Sequence, residues 1–212
     1  MSGLVFVLDP LYALRDVAPS PELDPVAAVK LAELAGVDAV RISGQREGDA
    51  VEVRRVARCL ELAIESSPGG LKAALEVRPD RVLLVEPATT PVLRQLEEAG
   101  IPAWARVNAE VDAVKAAHTA GVAGVEFHTA NAVDLPDGAR AAALEALADA
   151  SRLAAKLRLP VALGGGLDWR SLRPFAQRVG ALERVAVGRA LVARALLVGI
   201  ERALEDLRSR LS

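Results

Sequence analysis

The sequence predicts a closed (β/α)₈ barrel, and three features of the chain indicate this fold class. Its 212 residues are enough for one large core, so we expect a single domain over residues 1–212. Hydrophobic residues make up 52% of the chain and aromatic residues 3%, so Ala, Val and Leu must fill the core, as suits helices on a parallel sheet. An Ala-rich helical stretch, a Gly or Pro stop and a short Val, Ile and Leu run recur along the chain.

Eight short apolar runs are the predicted strands of this barrel. Three of them follow the same joint, in which Gly ends an Ala-rich helix shortly before the strand: AELAGVDAVRI, EEAGIPAWARV and HTAGVAGVEF. The predicted strands are Leu4–Leu8, Val37–Ile42, Cys59–Ile64, Arg81–Val85, Ala103–Val107, Gly124–Phe127, Pro160–Leu163 and Arg184–Val187.

Room for a helix follows each predicted strand. Eight alternating units without a second compositional zone favour a closed TIM barrel over the alternative, an open doubly wound sheet. Helical periodicity is strongest at Asp24–Ala35, Ala109–Ala120, Ala139–Leu157 and Ala190–Leu211.

The composition argues against several classes of partner. A formal net charge of −2, without a block of like charge, gives no field that would attract nucleic acid. The single cysteine, Cys59, excludes an internal disulfide, and His118 and His128 lack a ligand cluster, so we expect no metal and no other cofactor. No apolar run approaches the ~20 residues of a membrane span, and the first residues show no basic leader. We therefore expect a cytoplasmic protein without a membrane or nucleic-acid partner.

Polar residues stand at the carboxyl ends of several predicted strands, where barrels of this class carry their active sites. Side chains alternate faces along a strand, so Glu126 and His128 share a face opposite Val125 and Phe127. If the apolar residues face the helices, the polar ones face the barrel axis. Converging acids and bases suit an anionic ligand with a reactive carbonyl or amine; ordinary end-of-strand charges are the alternative. The polar residues are Asp9, Arg41, Ser43, Glu86, Arg106, Asn108, Glu126 and His128.

Two glycine sites follow the last two predicted strands. Gly164, Gly165 and Gly166 come directly after strand seven, and Gly188 and Arg189 come after strand eight. Backbone N–H groups approach phosphate oxygens only where no Cβ intervenes, and the start of the following helix adds positive charge. Arg189 would add a charged fork. The sequence therefore predicts a site for a small phosphorylated metabolite at these loops, the alternative being a pair of tight turns.

Six stretches of the chain resemble the pyridoxine 5′-phosphate synthase family in order and spacing. The most specific is VGRALVARALLVGIERAL, which is long and ungapped. The resemblance implies a barrel enzyme of vitamin B6 biosynthesis that condenses 1-deoxyxylulose 5-phosphate with 3-amino-2-oxopropyl phosphate. The stretches are Asp9–Arg15, Asp24–Val40, Arg78–Pro87, Val125–Thr129, Gly164–Phe175 and Val187–Leu204.

The resemblance also implies a homo-oligomer, because members of that family assemble as dimers and octamers. An apolar stripe in the last predicted helix could serve either such an interface or the core, and we interpret it as core. The stripe consists of Leu196, Leu197, Ile200 and Leu204.

Three positions depart from the family's pattern of proton-transfer groups. Ser43 and Gly165 stand where the family has histidines, and Ala63 stands where it has a glutamate in strand three. Glu61 and Glu65 flank that last position, so a shifted alignment would restore one carboxylate. Each positioned acid or base contributes roughly 10² to 10⁴-fold to such a reaction. The phosphate loops are thus present, while the family's catalytic groups are replaced.

Three functions remain open from the sequence. The first is a pyridoxine 5′-phosphate synthase or near relative, which would be a transferase. The second is a non-catalytic homologue that binds a phosphorylated metabolite as a sensor or partner subunit. The third is a different phosphate-dependent step, an isomerisation or lyase reaction. The candidate catalytic residues are Glu126, His128 and Glu61, and the candidate ligand-binding residues are Asp9, Arg15, Ser43, Arg106, Gly164, Gly165, Gly166, Gly188 and Arg189.

Overall fold

The computed structural model describes residues 2–211 and shows a closed barrel of eight parallel strands, which confirms the predicted fold class. The barrel closes where the first strand pairs with the last, with Gly3 opposite Arg184 and Phe6 opposite Val187. The alternative of an open sheet is therefore wrong. The strands are β1 (Gly3–Val7), β2 (Ala39–Ser43), β3 (Leu60–Ile64), β4 (Arg81–Leu84), β5 (Ala103–Val107), β6 (Gly124–His128), β7 (Val161–Gly164) and β8 (Leu182–Val187).

Helices follow the strands and begin and end at residues with a local physical reason. The Asp24 carboxylate accepts a hydrogen bond from the Val26 amide at 2.8 Å, and the Ser67 hydroxyl accepts one from the Gly70 amide at 3.2 Å. The helices are α1 (Asp9–Val17), α2 (Pro25–Leu34), α3 (Glu47–Arg54), α4 (Pro68–Val77), α5 (Thr90–Glu98), α6 (Val111–Ala120), α7 (Ala130–Val133), α8 (Asp137–Lys156), α9 (Leu172–Ala176), α10 (Arg189–Val198) and α11 (Ile200–Leu211). Over residues 2–211, none of these helices has both the length and the apolar character that crossing a membrane requires.

The main hydrophobic core lies between the strands and the surrounding helices. Val125 and Phe127 of β6 are fully buried in this core, whereas Glu126 between them is buried against arginines of neighbouring strands. The predicted alternation along β6 is confirmed. Two small apolar clusters lie apart from the main core, and one of them is centred on Leu83, Trp104 and Ala162. Much of the barrel interior is therefore filled by charged side chains.

The last predicted helix is in fact two helices. Gly199, with φ of +83°, breaks the chain between α10 and α11, so the prediction of one helix over Ala190–Leu211 is wrong. The break also divides the apolar stripe: Leu204 is fully buried, while Leu196 and Leu197 are 67% and 79% exposed. The interpretation of Leu196 and Leu197 as core is therefore wrong, because periodicity within one helix does not show which way the chain turns after Gly199. The homo-oligomer stays a prediction.

Candidate functional site

The loop after β7 presents unbonded backbone amides to the mouth of the barrel. Gly165 and Gly166 have φ of +91° and +76°, in the left-handed region that favours glycine. The buried Thr129 hydroxyl donates to the carbonyl oxygens of Gly164, at 3.2 Å, and Gly165, which engages this side of the loop. Within residues 2–211, the amides of Gly165 and Gly166 donate to no protein acceptor. They are therefore available to an oxyanion.

The loop after β8 adds the start of a helix and a free cation. Gly188 is the N-cap residue of α10, and as a glycine it has no side chain that could cap the first turn of that helix. A Cβ at Gly188 would lie 3.0 Å from the Val7 Cβ, so the close approach of β1 requires glycine here. The exposed Arg189 extends toward the other loop, because its Nη2 is 3.8 Å from a Cβ built at Gly166. Arg189 has no ion-pair partner in the part of the chain that the structure describes.

Three adjoining cavities form the mouth. One of about 560 Å³, here called the glycine cavity, is lined by both glycine loops, Asp9, Arg41 and Arg106. A second, of about 600 Å³, shares Asp9, Arg41 and Arg106 with it and adds Ser43. A third, of about 550 Å³, is lined by Arg106, His128 and Glu86 among others. Arg106 therefore reaches all three cavities.

Glu126 organises the upper part of the barrel interior. Its Oε1 accepts hydrogen bonds from Arg106 Nε at 3.2 Å and Nη2 at 3.1 Å. Its Oε2 lies 2.5 Å from Arg41 Nη2 as a close ion pair, although no hydrogen is aligned toward that oxygen. Glu126 is fully buried. Its carboxylate thus anchors two guanidinium groups at the floor of the mouth.

Glu61 organises the layer below. Its Oε2 accepts from Arg41 Nε at 3.0 Å and Nη2 at 2.8 Å. Its Oε1 accepts from Arg81 at 2.7 Å and from Arg184 at 2.6 Å. Both lower arginines also stack on Trp104, with the guanidinium carbons 5.0 Å and 4.4 Å from its ring centroid.

Arg41 connects the two layers, since it pairs with both Glu61 and Glu126. Burial lowers the pKa of Arg41, but the two facing carboxylates outweigh this effect and the net shift is upward, so the guanidinium stays charged. Glu61 itself is 1% exposed and lines none of the three cavities. Its position suits an internal counter-ion, and a catalytic role for Glu61 stays a prediction.

His128 lies at the end of β6 beside the glycine loop. Its Nδ1 is buried and has no hydrogen-bond partner within residues 2–211. Burial and, to a lesser degree, the Arg106 charge lower the pKa of His128, while Glu126 acts in the opposite direction. A Cβ on Gly165 would collide with Nδ1 and would lie 2.6 Å from Cε1 of the imidazole. The His128 imidazole therefore occupies the space that a side chain at position 165 would need.

The other predicted ligand-binding residues fall into two groups. Asp9 and Ser43 are together at the mouth, where Asp9 Oδ1 accepts a hydrogen bond from the Ser43 amide at 3.1 Å. Burial raises the pKa of Asp9, against the opposing effects of that hydrogen bond and of nearby arginines. Arg15 is elsewhere: it pairs with Asp49 at 3.0 Å, stacks on the Tyr12 ring at 4.6 Å and lines none of the three cavities. Ligand binding by Arg15 stays a prediction without support from this arrangement.

Sequence reasoning placed Arg41 among the polar residues at the strand ends but did not predict that Arg41, Arg81 and Arg184 form a buried charge network, although a signal for them exists. Each stands in a strand of the barrel, and Arg41 carries its charge between the apolar residues Val40 and Ile42. Arg41 is also two residues before Ser43, on the same face of β2. Charges of opposite sign at matched registers, Arg41 beside Glu61 and Glu61 beside Arg81, would have indicated a polar barrel interior.

Comparison with known proteins connects this barrel to one family. The family model described as "Pyridoxal phosphate biosynthesis protein PdxJ" matches residues 86–212. The chain is 30% identical to the pyridoxine 5′-phosphate synthase of Desulfatibacillum aliphaticivorans, over 98% of this chain and 97% of that protein. It is 31% identical to the enzyme of that name from Synechococcus sp. (strain JA-2-3B'a(2-13)), over 98% of each chain.

Solved structures support the architecture alone. The thiamine phosphate pyrophosphorylase of Pyrococcus furiosus superposes with a TM-score of 0.69 at 18% identity, over 99% of this chain and 95% of that one. A 4-hydroxy-2-oxoglutarate aldolase from TTHB1 superposes with a TM-score of 0.67, also at 18% identity, over 99% and 94%. These likenesses concern the barrel fold and do not bear on the ligand.

Proposed function

We propose a phosphate-binding function for this chain, which belongs to the PdxJ family of pyridoxal phosphate biosynthesis proteins. The ligand is a small phosphorylated metabolite linked to that biosynthesis, and its phosphate is bound between the glycine loops after β7 and β8. One observation carries the proposal: both loops open onto the same cavity of about 560 Å³, and the Gly165 and Gly166 amides have no acceptor within residues 2–211.

The binding follows from electrostatics at the two loops. The amides of Gly165 and Gly166 and the uncapped start of α10 offer N–H donors, and the helix end adds partial positive charge. The Arg189 guanidinium can bond a phosphate in a bidentate manner, and each such charged bond contributes about 1.5–3 kcal/mol. Because Arg189 is exposed, its charge can attract an incoming anion, and the side chain does not serve packing.

We expect Arg189→Gln to weaken binding of glycerol 3-phosphate and of inorganic phosphate by about tenfold, because one charged donor is lost. Isothermal titration calorimetry measures this directly. Arg173→Gln is the matched control, since Arg173 is an exposed arginine of α9 that lines none of the three cavities. Equal affinity in wild type and Arg189→Gln would remove Arg189 from the site. Absence of binding to wild type would overturn the proposed function.

A second candidate function, a proton-transfer reaction on the bound metabolite, is favoured by His128. A lowered pKa makes the imidazole neutral near pH 7, and His128 lines the third cavity beside Arg106, where the imidazole can exchange a proton with a ligand. The direct assay for the family's own condensation is formation of pyridoxine 5′-phosphate from the two phosphorylated substrates. A non-catalytic binding protein is the alternative outcome of that assay.

The titration of His128 tests this second candidate. We expect its NMR signals, assigned by comparison with His118→Gln, to titrate below the ordinary value of 6.5. Below about pH 6.5 the unfolded chain then binds more protons than the folded one, so stability falls as the pH falls from 6.5 toward the folded pKa. His128→Asn should lack this loss. Titration above 6.5 would mean a charged imidazole and would contradict the candidate function.

A further inference from the structure

The two arginines at the floor of the mouth keep donor atoms free. Arg41 uses its Nε and Nη2 for Glu61 and Glu126, and Arg106 uses the same two atoms for Glu126. Over the described residues 2–211, the Nη1 groups of both arginines have no protein partner. Both side chains line the glycine cavity. Glu126 thus holds two guanidinium groups in place with one donor nitrogen of each uncommitted.

The charges of the barrel interior do not balance. The four arginines of the network meet three carboxylates, of which Glu183 approaches Arg184 from the more exposed side. An unbalanced charge in a buried network is costly unless a ligand or solvent compensates it. Three further carboxylates line the glycine cavity, and within residues 2–211 none of them forms an ion pair with an arginine of the network: Asp9, Asp134 and Asp168. The participants are Arg41, Arg81, Arg106 and Arg184 with Glu61, Glu126 and Glu183.

We propose that the ligand carries a carboxylate as well as a phosphate, and that the carboxylate binds the Nη1 groups of Arg41 and Arg106. This inference rests on the proposed function, which supplies the phosphate site. One carboxylate provides the single negative charge that the network lacks, and its planar oxygens match guanidinium donors. The Arg41 side chain is only 4% exposed, so a small planar group reaches it more readily than a second phosphate.

One ligand can reach both sites because both lie on the same cavity. The glycine cavity, of about 560 Å³, has the glycine loops and Arg189 on its wall together with Arg41 and Arg106. The substrate class that fits is therefore a short phosphorylated acid. It differs from a plain sugar or alcohol phosphate by one anionic group at the end opposite the phosphate.

The experiment compares two probes that differ only at that group. Calorimetry with 3-phosphoglycerate and glycerol 3-phosphate contrasts a carboxylate with a hydroxymethyl group on the same phosphorylated skeleton. We expect wild type to bind 3-phosphoglycerate at least about tenfold more tightly. In Arg106→Gln this preference should fall to about onefold, because the affinity for 3-phosphoglycerate falls more than the affinity for glycerol 3-phosphate.

Arg81→Gln is the control, because it removes a guanidinium from the same network but from a residue that lines none of the three cavities. It should keep the preference for the carboxylate. Equal binding of the two probes by wild type, or a preference unchanged in Arg106→Gln, would overturn the inference and leave the phosphate site intact. Failure of wild type to bind either probe would overturn the proposed function as well.

Discussion

Replacing Glu61 by Gln is expected to destabilise the barrel by about 3–5 kcal/mol, the cost of leaving buried charges without their partner. The glutamate is 1% exposed, and its two oxygens accept hydrogen bonds from three arginines at 2.6 to 3.0 Å. Glutamine preserves the shape of the side chain but removes the negative charge. One amide oxygen and one amide nitrogen then face a group of donors, and the nitrogen is repelled.

Thermal and urea unfolding measure this loss, which for a chain of this size lowers Tm by about 10 °C. Glu145→Gln is the matched control, because Glu145 pairs with Arg178 at 2.8 Å but is 64% exposed. Exposed pairs contribute about 0–1 kcal/mol. Equal losses of stability in Glu61→Gln and Glu145→Gln would contradict a stabilising role of the buried network.

Replacing Gly165 by Ala is expected to weaken phosphate binding by at least about tenfold and also to destabilise the fold. At φ of +91° a Cβ is strained, and it would collide with the His128 imidazole. Either His128 or the loop must move. The Thr129 hydroxyl donates to the Gly164 and Gly165 carbonyl oxygens, so a movement of the loop would disturb these hydrogen bonds. The Gly165 and Gly166 amides would then no longer face the mouth of the barrel. Calorimetry with glycerol 3-phosphate and thermal unfolding measure the two effects.

Gly100→Ala separates backbone strain from the contact. Gly100 has φ of +71°, no atom within 4 Å of an added Cβ, and a position between α5 and β5, at the opposite end of the barrel from the mouth. It should lose about 1–2 kcal/mol of stability from the left-handed backbone alone and bind phosphate as wild type does. Unchanged phosphate affinity in Gly165→Ala would show that the loop after β7 does not contact the ligand.

The fold could be predicted because its signals are local. Each strand is a short apolar run. A shift of the strand register by one residue would move every side chain to the wrong face. Because Val125 and Phe127 face the helices, Glu126 between them must point toward the barrel axis. The positions of the glycine loops after β7 and β8 could also be predicted, since the glycines stand directly behind apolar runs, while phosphate binding by these loops stays a prediction. The break in the C-terminal helix could not be predicted, because a glycine such as Gly199 can lie within a helix or end it, and the packing of the chain decides which occurs.

The charged residues of the network can be seen in the strands, but their contacts with one another could not be predicted from local sequence. Arg184 and Glu61 are 123 residues apart, and their contact depends on the stagger of strands around a closed barrel. The same limit applies to Arg15, which the family resemblance suggested for the ligand and which instead meets Asp49 and Tyr12. Resemblance transfers a residue type to a position, but the neighbours of that position in this chain decide what the side chain contacts.

The long separation of Arg184 and Glu61 also bears on how the barrel comes apart. The pair joins β3 to β8 across the interior, so it exists only after the last strand has docked and the cylinder is complete. Interactions that form after the folding transition state slow unfolding without speeding folding. Glu61→Gln should accordingly unfold faster than wild type and refold at a similar rate. The buried charges then slow the opening of the completed barrel without speeding its formation.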